Sequence, residues 1–172
     1  MKKIFFYTIL RFPLGEIFLA KSCRGLSFVQ FIKDRTQLEK IAEFFKEKDF
    51  SLSLDESKLH QEKKLFYHYF KGEKEDFTSL PVDFISGTPY QRKVWQEARK
   101  IPFGKTQPYR FLAQKLNHKG YRSIGQALAR NPLLIVIPCH RVLRSDGTLG
   151  GFSAGLELKK FLLRLERGEN SN

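Results

Sequence analysis

The chain has 172 residues, of which 41% are hydrophobic, enough for one ordinary domain or two small ones with a buried core. Two cysteines, Cys23 and Cys139, are too few for a disulfide scaffold, and no cysteine or histidine spacing is typical of a metal centre, so we predict no zinc site. The net charge is +13, and residues 81–172 supply +10 of it, with 16 basic and 6 acidic side chains. Such a one-sided excess favours a polyanionic partner, namely nucleic acid, over a surface that is basic only for solubility.

The first half of the chain predicts a small unit of strands and helices. Residues 3–10 and 15–32 are rich in Ile, Phe, Leu and Val on both sides of "PLGE", which indicates a hairpin with a third strand after Gly25. "TQLEKIAEFFKEK" has apolar residues at helical spacing, with Thr36 as a candidate N-cap. "ESKLHQEKKLFYHYFKGE" predicts a second helix that ends near Gly72.

The N-terminal sequence "MKKIFFYTILRFPLGEIFLA" has two lysines before an apolar run, as a signal peptide would. Arg11, Pro13 and Glu16 interrupt that run too early, so we predict a strand there instead. We therefore expect no targeting or membrane segment and a cytoplasmic protein, or a nuclear one in a eukaryote. Cys23 is expected to be a thiol buried in a strand, with no catalytic role.

A polar, turn-rich stretch, "EKEDFTSLPVDFISGTP", divides the chain. We place a domain boundary near residues 78–86, which gives an N-terminal domain at 1–80 and a second domain at 84–168. The second domain opens with a strong helix start, because Thr88 is a good N-cap, a proline follows it, and Gln91 completes a capping box.

Two short helices then follow each other in "YRFLAQKL" and "YRSIGQALAR", joined by "NHKG", which is the pattern of a helix-turn-helix. The second helix carries polar side chains near its start that are able to reach phosphates or bases: Tyr121, Arg122, Ser123 and Gln126. A plain helical hairpin is the alternative interpretation. Beyond it, "NPLLIVIPC" predicts an apolar extended run, "SDGTLGGFSAG" a glycine-rich loop, and "LELKKFLLRLER" a closing amphipathic helix.

The stretch "IPCHRVL" is the strongest candidate for chemistry. Cys139 follows a proline that stiffens the chain, and His140 and Arg141 could activate its thiol as a base and as a positive charge. Neighbouring residues of an extended segment point to opposite faces, so coupling of Cys139 to His140 needs a water or a local bend. Glu166, on the closing helix, is the best partner for the histidine, and Asn131 is a second polar residue beside the apolar run. From these residues alone, the alternatives are that Cys139 is an inert buried cysteine, that Glu166 is a solvated glutamate and that Asn131 is a simple turn residue.

These motifs together resemble the O6-alkylguanine-DNA alkyltransferases, the methylated-DNA–protein-cysteine methyltransferases. The resemblance rests on "GTPYQRKVW", "IPFGKTQPY", "LAQKL", "RNP", "IPCHRVL" and "LLRLE" in this order, and it covers residues 84–168. It implies an α+β fold. A small N-terminal α/β domain, an antiparallel sheet with helices like that of ribonuclease H, would precede a mostly helical domain with a winged-helix-like helix-turn-helix.

The resemblance also implies a reaction. Cys139 would accept an alkyl group from O6 of guanine, activated through a water by His140, which Glu166 orients. Asn131 would hold the active-site segment, and Tyr109 would donate a proton to the leaving base. The product is a thioether, which water does not hydrolyse, so we predict one turnover per molecule, with no cofactor and no metal.

The implied partner is double-stranded DNA that contains O6-alkylguanine, bound through its minor groove by a monomer. The damaged nucleotide leaves the duplex, and Arg122 fills the gap. Activity on O4-alkylthymine is left open. The residues that match DNA contacts of the family are Tyr109, Arg110, Asn117, Arg122 and Ser145.

Three positions depart from the family pattern. Phe152 stands where many members have tyrosine, so a pocket hydroxyl is missing, and Ala154 stands where many have glycine, so we expect its methyl group to narrow the pocket. Arg110 replaces a common glutamine and is expected to strengthen phosphate contact. Two other functions remain as alternatives: a non-enzymatic DNA-binding protein or alkylguanine sensor, which the presence of Cys139 disfavours, and a cysteine hydrolase, which the charge and the helix-turn-helix disfavour.

Overall fold

A computed structural model describes residues 2–169, and its first half is built on a mixed four-stranded sheet. The strands are β1 (Lys3–Phe12), β2 (Gly15–Ser22), β3 (Gly25–Ile32) and β4 (Phe50–Leu54). They lie in the order β3-β2-β1-β4. The predicted hairpin and third strand are confirmed as antiparallel neighbours, whereas β4 runs parallel to β1 and was not predicted. Its sequence, "FSLSL", alternates apolar and polar residues as a half-buried strand does, but the stretch is only five residues long and was passed over.

Two helices, α1 (Arg35–Glu47) and α2 (His60–Phe70), accompany this sheet, and a short 3-10 turn precedes α2. The prediction of Thr36 as the N-cap of α1 is wrong. Asp34 caps the helix instead, because its carboxylate accepts a hydrogen bond of 3.0 Å from the backbone nitrogen of Gln37. The helix covers one face of the sheet through a cluster of buried, mostly aromatic residues: Phe5, Phe18, Ala20, Phe28, Ile32, Ile41 and Phe45.

Cys23 is exposed, which corrects the prediction of a thiol buried in a strand. It lies in the turn between β2 and β3, one residue beyond the end of the hairpin strand at Ser22. Its immediate neighbours are Ser22, Arg24 and Gly25, which are polar or small as is usual in a turn.

The second half is mostly helical and contains α3 (Pro89–Ala98), α4 (Tyr109–Lys115), α5 (Tyr121–Ala129) and α6 (Leu156–Glu166). A short parallel pair, β5 (Gln107–Pro108) and β6 (Val142–Leu143), lies among them. The predicted capping box of α3 is confirmed, since Thr88 Oγ1 accepts from Gln91 N at 3.2 Å and Gln91 Oε1 accepts from Thr88 N at 2.9 Å. Within residues 2–169, no helix is both long and apolar enough to cross a membrane.

One hydrophobic core joins the second face of the sheet to the helices of the second half. Trp95 is fully buried within it, and its indole nitrogen donates a hydrogen bond of 2.7 Å to the carbonyl of Ala127. This bond ties α3 to the end of α5, so it fixes the second helix of the helix-turn-helix against the core. The α+β fold class is confirmed.

The edge of strand β3 holds the chain that leads to Cys139. Val29 donates to the carbonyl of Pro132 at 2.8 Å and accepts from the backbone nitrogen of Leu134 at 3.2 Å. The side-chain amide of Gln30 donates to the carbonyl of Asn131 at 3.2 Å. The N-terminal sheet is therefore a scaffold for the active-site segment.

Candidate active site

The segment before Cys139 is a buried tight turn, which corrects the prediction of an extended run. Ile135 has a positive φ of 71°, and Ile137 N donates to Leu133 O at 2.8 Å across the turn. A β-branched residue rarely adopts this backbone conformation, so the turn is strained and its surroundings must hold it. An apolar run between prolines has no period that distinguishes a buried strand from such a turn.

Asn131 fixes the geometry of the segment that presents Cys139. Its amide nitrogen donates to Cys139 Sγ at 3.2 Å and to the carbonyl of Ile137 at 2.8 Å, and its oxygen accepts from Leu133 N at 2.8 Å. Cys139 opens a 3-10 turn that ends at Arg141, and the cysteine is 5% exposed. Asn131 was predicted to hold this segment, and the structure brings it into contact with the sulfur.

Burial raises the pKa of the Cys139 thiol above its ordinary value. The hydrogen bond from Asn131 and the positive charge of Lys159 act in the opposite direction, because both stabilise a thiolate. The balance leaves the sulfur protonated at neutral pH. A nucleophilic role for this sulfur would require a base to form the thiolate.

His140 and Glu166 form a buried pair behind the cysteine. The imidazole Nε2 lies 2.7 Å from Glu166 Oε1, as expected for a carboxylate that orients the ring. Nδ1 is buried and has no hydrogen-bond partner among residues 2–169, so Cys139 and His140 share no direct side-chain hydrogen bond there. Burial lowers the pKa of His140, and Glu166 opposes this only in part, so the ring is neutral and able to accept a proton.

Glu166 is the centre of a larger network. Arg141 donates to both carboxylate oxygens, from Nε to Oε2 and from Nη2 to Oε1, each at 2.9 Å. Tyr69 Oη donates to Oε1 at 2.7 Å, and Gly104 N donates to Oε2 at 3.1 Å. Burial alone would raise the pKa of Glu166, but His140 and Arg141 outweigh it and hold that pKa well below the usual range.

Lys159 is a buried lysine that was not singled out from the sequence. Its ammonium donates to the carbonyls of Val142 at 2.7 Å and Gly151 at 3.3 Å, and also to Leu149. Burial lowers its pKa to about 8, which the nearby Cys139 partly opposes. One signal was available, because Lys159 stands seven residues before Glu166 on α6 and so shares its apolar face.

Cys139 opens onto a cavity of about 360 Å³ between α5 and the glycine-rich loop. Tyr109 is half-buried in its wall, and a Cβ added to Gly150 would lie 3.0 Å from the tyrosine hydroxyl, so this glycine permits a close approach. The lining residues are Tyr109, Gly125, Leu128, Ala129, Cys139, Gly151, Phe152 and Ser153. The cavity joins the cysteine to the helix-turn-helix.

Of the two pocket departures, only Phe152 lies where it was expected. Ala154 lines a neighbouring groove with Phe28 and Gln30, so its methyl group does not narrow the Cys139 cavity. The prediction about Ala154 is wrong because the loop turns between residues 153 and 154.

Of the five predicted DNA-contact residues, Tyr109 lines the cavity and the other four are exposed. Arg122 is exposed in the first turn of α5, whose later residues line the cavity, and Arg110, Asn117 and Ser145 are also exposed. Ser123, which the sequence offered as a further contact, is half-buried, and its hydroxyl accepts from Tyr90 Oη at 3.0 Å and donates to the carbonyl of Gly120 at 2.8 Å.

Within the described residues, one group has the donor types of a metal site. The side chains of His68, Glu73 and Glu75 lie with their ligand atoms within 4.8 Å of one another at the end of α2. His68 Nδ1 and Glu73 Oε2 are in hydrogen-bond contact at 2.5 Å, and Glu73 is exposed.

The chain is similar to known proteins in both of its halves. Residues 5–84 match the family model described as the 6-O-methylguanine DNA methyltransferase ribonuclease-like domain, and residues 89–168 match the DNA-binding domain of the same family. A methylated-DNA–protein-cysteine methyltransferase from Methanosarcina barkeri is 36% identical over 162 residues, covering 94% of this chain and 96% of the relative. A protein of the same name from Haemophilus influenzae is 36% identical over 164 residues, covering 94% and 86%.

Solved structures agree over nearly the whole chain. The Mycobacterium tuberculosis O6-methylguanine methyltransferase superposes with a TM-score of 0.79 at 26% identity, covering 97% of this chain and 95% of the other. The protein named OGT from the same organism, solved in complex with DNA, gives 0.77 at 26% identity, with coverage of 95% and 93%.

The fold defines a DNA-binding protein in which a buried cysteine lines a cavity. The chain belongs to the O6-methylguanine DNA methyltransferase family, in both its ribonuclease-like and its DNA-binding domain.

Proposed function

We propose that this DNA repair methyltransferase moves an alkyl group from O6 of guanine in duplex DNA onto Cys139, once per molecule. The observation that carries the proposal is the position of Cys139. Its sulfur is held by Asn131 and opens into a cavity whose opposite wall is the second helix of the helix-turn-helix. A base delivered by DNA would therefore meet the sulfur directly. The related names and the two matched domains support the same activity.

In this proposal, His140 removes the thiol proton through a bridging water. Its Nδ1 has no partner among residues 2–169, and Glu166 holds the opposite nitrogen at 2.7 Å. The thiolate attacks the alkyl carbon, a C–S bond forms, and the C–O bond to guanine breaks. Tyr109, in the cavity wall, donates a proton to the departing base. The thioether that results is stable in water, so the protein is consumed.

Docking on DNA is proposed to use exposed residues of the second half of the chain. Arg122 lies at the start of α5, where it could enter the stack after the damaged nucleotide turns out. Arg110, Asn117 and Ser145 would contact the backbone, and Tyr109 would contact DNA beside the cavity. We propose minor-groove binding, because a repair protein gains nothing from reading sequence and the minor groove carries little of it.

The wider organisation is part of the same proposal. Residues 1–80 would form the scaffold domain and residues 84–168 the DNA-binding and acceptor domain, acting as a monomer without a cofactor. Both cysteines are free in the structure, which supports a reducing compartment such as the cytoplasm.

Label transfer tests the activity. The protein is incubated with a duplex that carries O6-[methyl-³H]methylguanine, and protein-bound label is counted. We expect one label per molecule for the wild type and none for Cys139→Ser. Cys23→Ser is the matched control, because it removes the exposed cysteine and should keep full transfer. Label beyond one equivalent, or tight binding of the duplex without any transfer, would contradict the proposal, and the second result would favour a sensor.

Nucleotide flipping is tested separately with Arg122→Ala. The variant should repair duplex DNA at least tenfold more slowly and react with free O6-benzylguanine at the wild-type rate, since a free base requires no flipping. Arg130→Ala is the control, because Arg130 is an exposed arginine at the other end of the same helix. Equal losses on duplex and free base would show that Arg122 does not act in flipping.

A further inference from the structure

A tyrosine from the N-terminal half contacts His140 and Glu166, which form the proposed proton relay behind Cys139. Tyr69 lies on α2 and is fully buried, 71 positions before His140 and 97 before Glu166. Its hydroxyl donates to Glu166 Oε1 at 2.7 Å and lies 3.4 Å from His140 Nε2. The relay is therefore assembled from both halves of the chain.

The tyrosine can act only as a donor at this place. Burial raises the pKa of Tyr69 well above its ordinary value, and the negative charge of Glu166 raises it further, so the phenol keeps its proton. The ring is locked from the sides by edge-on contacts with Phe77 and Phe103, whose centroids lie 5.6 and 5.9 Å away. The hydroxyl is therefore aimed at the carboxylate by packing as well as by its hydrogen bond.

The shared oxygen gives this contact a chemical consequence. Glu166 Oε1 accepts from His140 Nε2, Tyr69 Oη and Arg141 Nη2. Each donor draws negative charge from the oxygen, so each one weakens the pull that Glu166 exerts on a proton of the imidazole. A carboxylate that accepts less strongly stabilises the protonated imidazole of His140 less. The histidine therefore stays in its neutral form, and this form can take the thiol proton.

We propose that Tyr69 is a positioning residue of the N-terminal domain that sets the pH range in which the Cys139 relay works. It acts through Glu166, whose Oε1 it holds, and it does not touch the reacting atoms. The proposal rests on the proposed function only for its kinetic readout.

Other charged and titratable groups also face His140. Lys159 and Glu166 approach from α6, while Cys139 and Arg141 belong to the same turn as the histidine. Tyr69→Phe replaces none of these side chains, and of the four only Glu166 loses a hydrogen bond to the tyrosine hydroxyl. The change in pH response can therefore be assigned to the lost donor.

The test is Tyr69→Phe in the full chain, which deletes one oxygen and keeps the packing ring. The rate of label transfer from O6-methylguanine duplex is measured between pH 5 and 9. Without the tyrosine donor, Glu166 accepts more strongly from His140, so the pKa of the histidine rises. We expect the acid limb of the rate profile to move up by about half to one pH unit, the equivalent of one hydrogen bond, with a rate near wild type at high pH.

The matched control is Tyr67→Phe, which makes the same change two residues earlier on α2, where the side chain is 60% exposed. Its profile should coincide with that of the wild type. A uniform loss of rate at every pH in Tyr69→Phe would indicate a purely structural role and would overturn the proposal. So would an unchanged profile or a shift to lower pH.

A second measurement does not depend on alkyl transfer. The imidazole of His140 is titrated by NMR in histidine-labelled protein, with its signal assigned through His140→Asn. The pKa of His140 should be higher in Tyr69→Phe than in the wild type and in Tyr67→Phe. Equal values in all three would refute the inference even if Cys139 proves to be the alkyl acceptor, and a raised value would support it even if that transfer fails.

Discussion

Replacing Glu166 with glutamine removes one negative charge from the centre of the buried network and keeps the shape of the side chain. The carboxylate accepts five hydrogen bonds, from Tyr69, His140, Gly104 and, twice, Arg141. Its side chain is 1% exposed and that of Arg141 is 6% exposed, so water cannot replace the lost partner. Breaking a buried ion pair from one side leaves an unpaired charge and costs about 3–5 kcal/mol.

Urea unfolding measures this cost. With a slope of about 2 kcal/mol per M, the midpoint of Glu166→Gln should fall by about 1.5–2.5 M. Glu157→Gln is the control on the same helix, because Glu157 is 86% exposed and pairs with Lys160 at the surface. An exposed pair contributes at most about 1 kcal/mol, so the control should shift the midpoint by less than about 0.5 M.

The same variant predicts a pH dependence. The pKa of Glu166 is lowered in the folded protein, while an unfolded glutamate titrates near pH 4.3. The ionised side chain therefore stabilises the fold above about pH 4.3, and this contribution is lost as the pH falls below that value toward the folded pKa. The gap between wild type and Glu166→Gln should narrow in the same window. Equal midpoints for the two glutamine variants at pH 7, or a gap that stays constant down to pH 3, would refute the reasoning.

Two further predictions concern a buried lysine and a helix cap. Lys159→Met should slow alkyl transfer at pH 7 by about tenfold, equivalent to 1.4 kcal/mol of barrier, because it removes the positive charge beside Cys139 and leaves the loop carbonyls without their donor. Single-turnover label transfer measures this rate, and a rate equal to that of the exposed neighbour variant Lys160→Met would contradict the prediction. Thr88→Ala should lower the free energy of unfolding by about 1 kcal/mol through loss of the α3 capping box, and an unchanged urea midpoint would show that this cap contributes nothing.

The elements that the sequence predicts well are those whose signals are local. Four consecutive residues, Thr88 to Gln91, specify the start of α3, and the structure confirms this predicted start. The prediction of the α1 N-cap is wrong because two candidates, Asp34 and Thr36, stand two residues apart and the sequence does not rank them. Strand β4 depends on pairing with β1, which lies more than forty residues away in the chain.

The residues of the candidate site also differ in how much local signal the sequence carries for them. Cys139 and His140 are adjacent, and Glu166 was identifiable as a carboxylate on an apolar helix face; the structure brings the histidine and the glutamate into contact. Tyr69 had no such signal, because an aromatic residue at helical spacing is ordinary core. Its role depends on how α2 packs against the second half. The strained turn at Ile135 likewise depends on neighbours that the local sequence does not contain.

The pairing of Val29 with the segment before Cys139 also bears on aggregation. Strand β3 is at the end of the sheet, and an unpaired strand edge is a template for association with other chains. Isolated bridges from Leu26 to Val82 and from Val29 to Leu133 cover that edge. The chain that presents the cysteine therefore also shields part of the sheet, and a mutation that detached this chain would expose an unpaired strand edge.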